Sequence, residues 1–102
     1  MSNNKKLKIQ NNIVKRMIKE VEYYKKETDY NKKRIEEMEK LEKDFYDIKK
    51  QTEIYEESLM MINDSEKRLK KRRNELEELL NKIHEDENLD LTLFSESMKL
   101  LG

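Results

Sequence analysis

The chain has 102 residues, enough for one small domain, and 45% of them are charged while 34% are hydrophobic, which excludes a large apolar core. The 23 basic and 23 acidic residues cancel, so the net charge gives no reason to expect a nucleic acid or a membrane surface as partner. The absence of cysteine excludes disulfides and cysteine-based metal sites, and no apolar run approaches the ~20 residues that cross a bilayer.

The first predicted helix covers about residues 5–40. Its inward-facing residues recur at alternating steps of three and four, which is the spacing of a coiled-coil seam: Val14, Met17, Val21, Tyr24, Thr28, Asn31, Ile35 and Met38. The polar residues Thr28 and Asn31 weaken packing at this seam and can fix the register of two helices.

The second predicted helix covers residues 44–62 and begins after the stepping slips between Met38 and Leu41. Asp44 is the predicted N-cap, and Asp47 suits the positive end of the helix. A stripe on this helix is expected to face the other helices: Phe45, Ile48, Thr52, Tyr55, Leu59 and Ile62. Ile54 and Met61 widen the stripe, as a helix with two neighbours requires.

The third predicted helix covers residues 64–86, with Asn63 as N-cap and Glu66 at the capping-box position. It carries the most leucine-rich stripe of the chain: Leu69, Leu76, Leu79, Leu80 and Ile83. Residues 87–102 are more apolar than the segments before them. They are expected to continue the helix, to form a short extra helix that folds back, or to be partly ordered.

These elements predict an all-α protein with a single domain over residues 1–102, an elongated antiparallel three-helix bundle with coiled-coil-like packing. One alternative stays open, because the stepping continues almost unbroken through both predicted boundaries and no interior glycine or proline enforces a turn. In that alternative the chain forms one very long helix and acts as a structural coiled-coil adaptor, an elongated dimer.

No catalytic pattern is present. His84 is the only histidine, no serine has a histidine at a motif spacing, and no glycine-rich loop is available to bind phosphate. We therefore expect a protein that is not an enzyme and needs no cofactor or metal. The basic run at residues 67–73 has three interpretations: a solvated helix face, a nucleic-acid or nuclear-import patch, or a patch for an acidic protein. Met60 and Met61 are either core residues or an adaptable contact surface.

One block of the sequence resembles the tubulin-binding cofactor A family: Tyr46 to Gln51, Glu53, Ile54, Glu57, Ser58, Met60 to Ile62 and Asp64. A second block, Val14 to Arg16 with Lys19, Glu20 and Tyr24, agrees with it. The resemblance covers roughly residues 7–85. The chain departs from the family in having Asn63 where a proline is usual, and in lacking the glycine that often follows the first helix.

The resemblance implies a cytoplasmic, cytoskeleton-associated protein that captures folding β-tubulin after the cytosolic chaperonin and does not hydrolyse nucleotide. Other tubulin-folding cofactors are then indirect partners. The balanced charge predicts neither nucleic acid nor a membrane as partner, and we expect a monomer or a weak homodimer, since the oligomeric state does not follow from the resemblance. The resemblance also implies that polar residues in the two blocks matter beyond the fold. The candidate tubulin-contact residues are Lys15, Arg16, Lys19, Glu20, Tyr46, Asp47, Lys49, Lys50, Gln51, Glu53, Glu57, Ser58 and Met60.

Overall fold

The computed structural model describes all residues, 1–102, and contains three helices and no strand: α1 at Asn3–Lys40, α2 at Phe45–Ile83 and α3 at Leu91–Leu100. The prediction of an all-α chain with three helices is confirmed. The chain forms two compact units, of which unit 1 consists of Met1–Lys19 and Lys67–Gly102 and unit 2 of Glu20–Glu66. None of the helices combines the length and apolar character needed to cross a membrane.

The predicted helix boundary at residues 62–64 is wrong, because α2 continues without interruption from Phe45 to Ile83. Asn63 and Asp64 are exposed on this helix, where they cost only the small penalty of their helix propensity. Ser65 is fully buried, and the three- and four-residue stepping continues through it. The predicted third helix is therefore the second half of α2, and the third helix of the structure lies in the tail, at Leu91–Leu100.

The turn between α1 and α2 is the predicted one, and Asp44 caps α2 as expected. The Asp44 carboxylate accepts a hydrogen bond from the backbone N–H of Tyr46 at 2.9 Å. The end of α1 is closed by two backbone bonds, from Lys43 N–H to the Met38 carbonyl and from Glu42 N–H to the Glu39 carbonyl. This is the pattern of a Schellman motif. Glu42 has a φ of 51°, at the position where helices usually place glycine.

Replacing Glu42 with glycine is expected to stabilise the protein by about 0.5–1 kcal/mol, because glycine adopts a positive φ without the clash that a Cβ causes. Chemical denaturation followed by circular dichroism measures the change. Glu42→Ala is the matched control, since it also removes the charge but keeps the Cβ, and it should give no gain. An equal gain from both variants would assign the effect to the charge and contradict this explanation.

Unit 1 contains most of the apolar core. Its fully or nearly fully buried hydrophobic side chains come from the start of α1 and the end of α2: Leu7, Val14, Leu69, Leu76, Leu80 and Ile83. The burial of all of these except Leu7, which lies before the predicted seam, confirms their predicted inward direction. Each buried side chain of this size contributes about 1.5–3 kcal/mol relative to an exposed one, so unit 1 has the larger share of hydrophobic stabilisation.

The short helix α3 is capped at one end and bound to α2 at the other. Asp90 is its N-cap and accepts bonds from the backbone N–H groups of Thr92 and Leu93. At the other end, Arg73 Nε donates to the carbonyl of Leu100 at 3.0 Å. A cation at a helix C-terminus also interacts favourably with the helix dipole.

The middle of α3 and the loop before it are bound to α1 by asparagines. The buried Ser97 hydroxyl donates to Asn11 Oδ1 at 2.7 Å. In the loop, the Asp86 carboxylate accepts bonds from the Asn88 backbone N–H at 2.9 Å and from Asn3 Nδ2 at 2.8 Å. These bonds to the charged form hold the pKa of Asp86 below its ordinary value of 3.8. The tail is thus an ordered part of unit 1.

Candidate functional site

Unit 2 is a hairpin of the second half of α1 and the first half of α2, and its interior is largely polar. Asn31 Nδ2 donates to the Ser58 hydroxyl at 2.7 Å, and Gln51 Nε2 donates to Asn31 Oδ1 at 3.3 Å. Thr28 is also buried, and Val21 is the one buried hydrophobic residue of this unit. Because buried polar groups are costly unless paired, these bonds hold the two helices in one register.

The polar interior corrects the predicted direction of the stripe on α2. Gln51, Ser58 and Ser65 are buried and lie seven residues apart, so this side of the helix faces inward. Phe45 is 71% exposed and Leu59 is 43% exposed, and the prediction that these two face the other helices is wrong. Ile48, Tyr55 and Ile62 are half-buried.

Most candidate residues of the second block share one exposed side of α2, which we call the outer face. Their positions on the helix repeat at three, four and seven residues, so they lie side by side. They are Tyr46, Lys49, Lys50, Glu53, Glu57 and Met60, and all are exposed. Tyr46 is 75% exposed and Met60 65% exposed, so the face presents two large side chains together with charges of both signs.

Three other candidates of this block lie elsewhere. Gln51 and Ser58 belong to the buried polar interior, so their side chains are not available to a partner, and we leave them out of the proposed surface. Asp47 is exposed beside the outer face and lines an open hollow with residues of both helices: Arg34, Met38, Lys43, Lys50, Gln51 and Ile54. On the other edge of α2, a second open hollow is lined by Phe45, Ile48, Lys49, Thr52, Glu53 and Glu56.

The candidates of the first block lie on α1. Lys15, Arg16 and Lys19 are exposed in unit 1, and Lys15 forms an ion pair with Glu96 of α3. Glu20 is half-buried in unit 2. The structure therefore gives Lys15 a contact within the fold and leaves Arg16 and Lys19 at the surface.

The basic run at residues 67–73 is divided by the structure. Arg72 pairs with Glu75 and Arg73 binds the end of α3, while Lys67, Lys70 and Lys71 are exposed. Because α2 is continuous, the run lies in the middle of a helix and does not oppose a helix dipole. Two of the arginines thus have a structural role that the sequence analysis did not anticipate.

Sequence reasoning missed the exposure of Phe45. Tyr23 and Tyr30, which lie off the predicted seam, are each 59% exposed on α1. A signal was available for Phe45. Polar residues recur every seven positions at 51, 58 and 65, which is the spacing of a seam. Pairing them with Ile48, Tyr55 and Ile62 gives an inward side that leaves Phe45 and Leu59 outside it. No group of three or more metal-binding side chains comes together in the structure.

The family model for tubulin binding cofactor A matches residues 2–101. Tubulin-specific chaperone A of Homo sapiens is 41% identical over 76 residues, which are 74% of this chain and 70% of the human protein. Tubulin-folding cofactor A of Arabidopsis thaliana is 34% identical over 85 residues, which are 83% of this chain and 75% of the plant protein.

Solved structures agree with the sequence comparisons. The crystal structure of tubulin folding cofactor A from Arabidopsis thaliana superposes with a TM-score of 0.88 at 30% identity, covering 97% of this chain and 92% of that one. Human tubulin chaperone cofactor a gives a TM-score of 0.74 at 33% identity, covering 98% and 95%. The matched residues and the shared fold extend over nearly the whole chain, and the chain belongs to the tubulin binding cofactor A family.

Proposed function

We propose that the protein is a tubulin-folding cofactor that captures β-tubulin after its release from the cytosolic chaperonin. The observation that carries the proposal is the family match over residues 2–101, together with relatives that are named as tubulin-specific chaperones and tubulin-folding cofactors. In this function the chain works in the cytoplasm, close to the cytoskeleton, and passes its client to other tubulin-folding cofactors.

The proposed contact surface is the outer face of α2, with Asp47 at its edge and with Arg16, Lys19 and Glu20 of α1 as a second region. Two features support the outer face. Tyrosine and methionine are suited to protein interfaces, since tyrosine is a frequent anchor and methionine adapts to irregular partners. The charged residues between them provide electrostatic complementarity, which mainly sets specificity and the association rate.

The polar interior of unit 2 supports the same location. In an ordinary helical hairpin the large apolar side chains face inward, whereas here Asn31, Gln51 and Ser58 do so, and Phe45, Tyr46 and Met60 are exposed. These large side chains do not take part in the packing of the hairpin, so they are available to a partner. Unit 2 therefore carries the main part of the proposed contact surface.

The proposed mechanism is stoichiometric binding without nucleotide hydrolysis. A binder that holds the folded or partly folded client stabilises it by mass action, by about 2.7 kcal/mol when free binder is present at a hundredfold excess over Kd. Such binding lowers the population of aggregation-prone client and needs no energy source. A contact surface composed largely of solvated charge favours rapid release, which transfer to the next cofactor requires.

The alternative of a coiled-coil adaptor requires that the seams of α1 and α2 be free to pair with a second copy. In the structure these seams contact each other within one chain, as the bonds of Asn31 to Ser58 and Gln51 show. The observations therefore favour a client-binding surface outside the seam.

Capture of tubulin by the immobilised chain in nucleotide-free buffer tests the proposed function. Denatured tubulin diluted into buffer and native tubulin are offered separately, and the bound subunits are quantified. We expect the chain to retain β-tubulin in preference to α-tubulin and in an equimolar complex. Retention of neither subunit from either preparation would contradict the proposal.

A further inference from the structure

The chain as a whole has balanced charge, but its first segment is strongly basic. The first 19 residues contain six basic residues and no acidic residue. All six are exposed in unit 1, and the spacing of five of them along α1 places these five on one side of the helix. We call this surface the basic face; it consists of Lys5, Lys8, Lys15, Arg16 and Lys19.

The basic face is electrostatically unfavourable for the isolated chain. Lysine in the first turn of α1 opposes the helix dipole, and that turn contains no acidic residue of its own. The one carboxylate bound there, Asp86, accepts its hydrogen bond from Asn3 and not from a lysine. Like charges three or four residues apart, such as Lys15 with Lys19, also repel. Lys15 is the only one of the five with an ion pair in the structure, and its partner is Glu96. Four of the five cations therefore have no carboxylate partner within the fold.

In the later part of α1, unlike in the basic face, lysines follow acidic residues at helical spacing. Lys26, Lys33 and Lys40 each follow an acidic residue by four positions, at 22, 29 and 36. This is the order that stabilises a helix. These lysines therefore each have an acidic neighbour in the stabilising order, which no residue of the basic face has. Arg16 and Lys19 precede Glu20 and Glu22 by four and three positions, which is the less favourable order.

We infer that the basic face is a docking surface for an acidic segment of polypeptide, and the inference rests on the proposed function only in assigning that segment to the tubulin client. The face extends from residue 5 to residue 19, about 21 Å along a helix. An extended chain of roughly six or seven residues spans this distance. The ligand is therefore a short run rich in glutamate or aspartate, whose carboxylates pair with the unpartnered cations.

The chemistry of the face favours an acidic polypeptide over other polyanions. No aromatic side chain lies among the basic residues to stack with bases. Ile9, 41% exposed, is the only exposed large hydrophobic residue within the face, and it offers little for insertion into a lipid surface. Lysine and arginine at helical spacing suit separate carboxylates along a peptide.

Fluorescence anisotropy with a labelled glutamate-rich peptide of about ten residues tests the inference. In the variant Lys8→Gln/Arg16→Gln/Lys19→Gln, peptide affinity should fall about tenfold, a loss typical of a few solvent-exposed charge contacts. The matched control Lys26→Gln/Lys33→Gln/Lys40→Gln changes the same charge on the same helix and should bind like the unmodified chain. Added salt should weaken the binding of the unmodified chain, because it screens exposed charges.

Glutamine keeps the helix propensity of lysine, and circular dichroism checks that both variants remain folded. Equal peptide binding by the two variants would overturn the inference, as would tighter binding of a single-stranded DNA oligonucleotide or of phosphatidylserine vesicles than of the peptide. Tubulin capture is measured with the same proteins. If the unmodified chain binds the peptide but no tubulin, the proposed function fails while the docking surface stands.

Discussion

Replacing Leu76 with alanine should lower the free energy of unfolding by about 3 kcal/mol, because the change leaves a cavity in a fully packed site. Leu76 is fully buried in unit 1, which also contains the fully buried Leu7 and Val14. Small domains are stable by only about 5–15 kcal/mol, so the variant loses a large part of its total stability. Urea denaturation followed by circular dichroism measures the difference.

Leu59→Ala is the matched control, since it makes the same chemical change on the same helix at a residue that is 43% exposed. It should cost less than about 1 kcal/mol, because the leucine has already kept much of its surface in water. If the two variants lost the same stability, the assignment of the apolar core to unit 1 and of a polar interior to unit 2 would be wrong.

The largest expected effect on function comes from reversing the charge of Lys49 and Lys50 together. Both side chains are exposed on the outer face of α2, and the variant Lys49→Glu/Lys50→Glu should weaken tubulin capture by about tenfold or more. In the proposed interface the two lysines face carboxylates of the client. Glutamates in their place bring like charges together, which is strongly unfavourable. The fold should persist, because neither residue forms a contact that holds unit 2 together.

The control variant Lys32→Glu/Lys33→Glu reverses two exposed adjacent lysines on α1 of the same unit. It should retain tubulin capture, and circular dichroism should show the same helicity for both variants. Equal loss of capture in the two variants would indicate a general charge effect. Unchanged capture by the α2 variant would remove the outer face from the proposed site.

The seam of α1 is predictable from the sequence because the three- and four-residue spacing of inward-facing residues determines it. Its residues step by three and four over 25 positions, from Val14 to Met38, without interruption, and a helix has only one side that this spacing can follow. Even the polar members Thr28 and Asn31 are buried, as predicted.

The continuity of α2 is less predictable, because residues that cap helices are also tolerated on an exposed helix surface. Asn63 and Asp64 have the chemistry of an N-terminus, but the side chain of Ser65 bonds to the carbonyl of Ile62 within the helix. Only the uninterrupted spacing of the inward residues distinguishes the two cases. The end of α1 before Leu41, by contrast, is fixed by the backbone itself. Two backbone hydrogen bonds and the positive φ of Glu42 close the helix there.

The candidate site was predicted in part, because resemblance identifies important positions without showing which way their side chains point. Tyr46, Lys49 and Met60 are exposed, whereas Gln51 and Ser58 of the same block form the polar interior of the hairpin. A partner of Gln51 such as Asn31 is 20 residues away in the sequence and becomes its neighbour only through the turn. Hydrogen bonding across the hairpin therefore could not be read from local spacing.

Acylation of lysines in the free chain and in its complex with tubulin tests the central claim most directly, because it reports the contact surface residue by residue. We expect Lys49 and Lys50 to become protected in the complex while Lys32 and Lys33 react as before. Protection of Lys32 and Lys33 with full reactivity of Lys49 and Lys50 would contradict it.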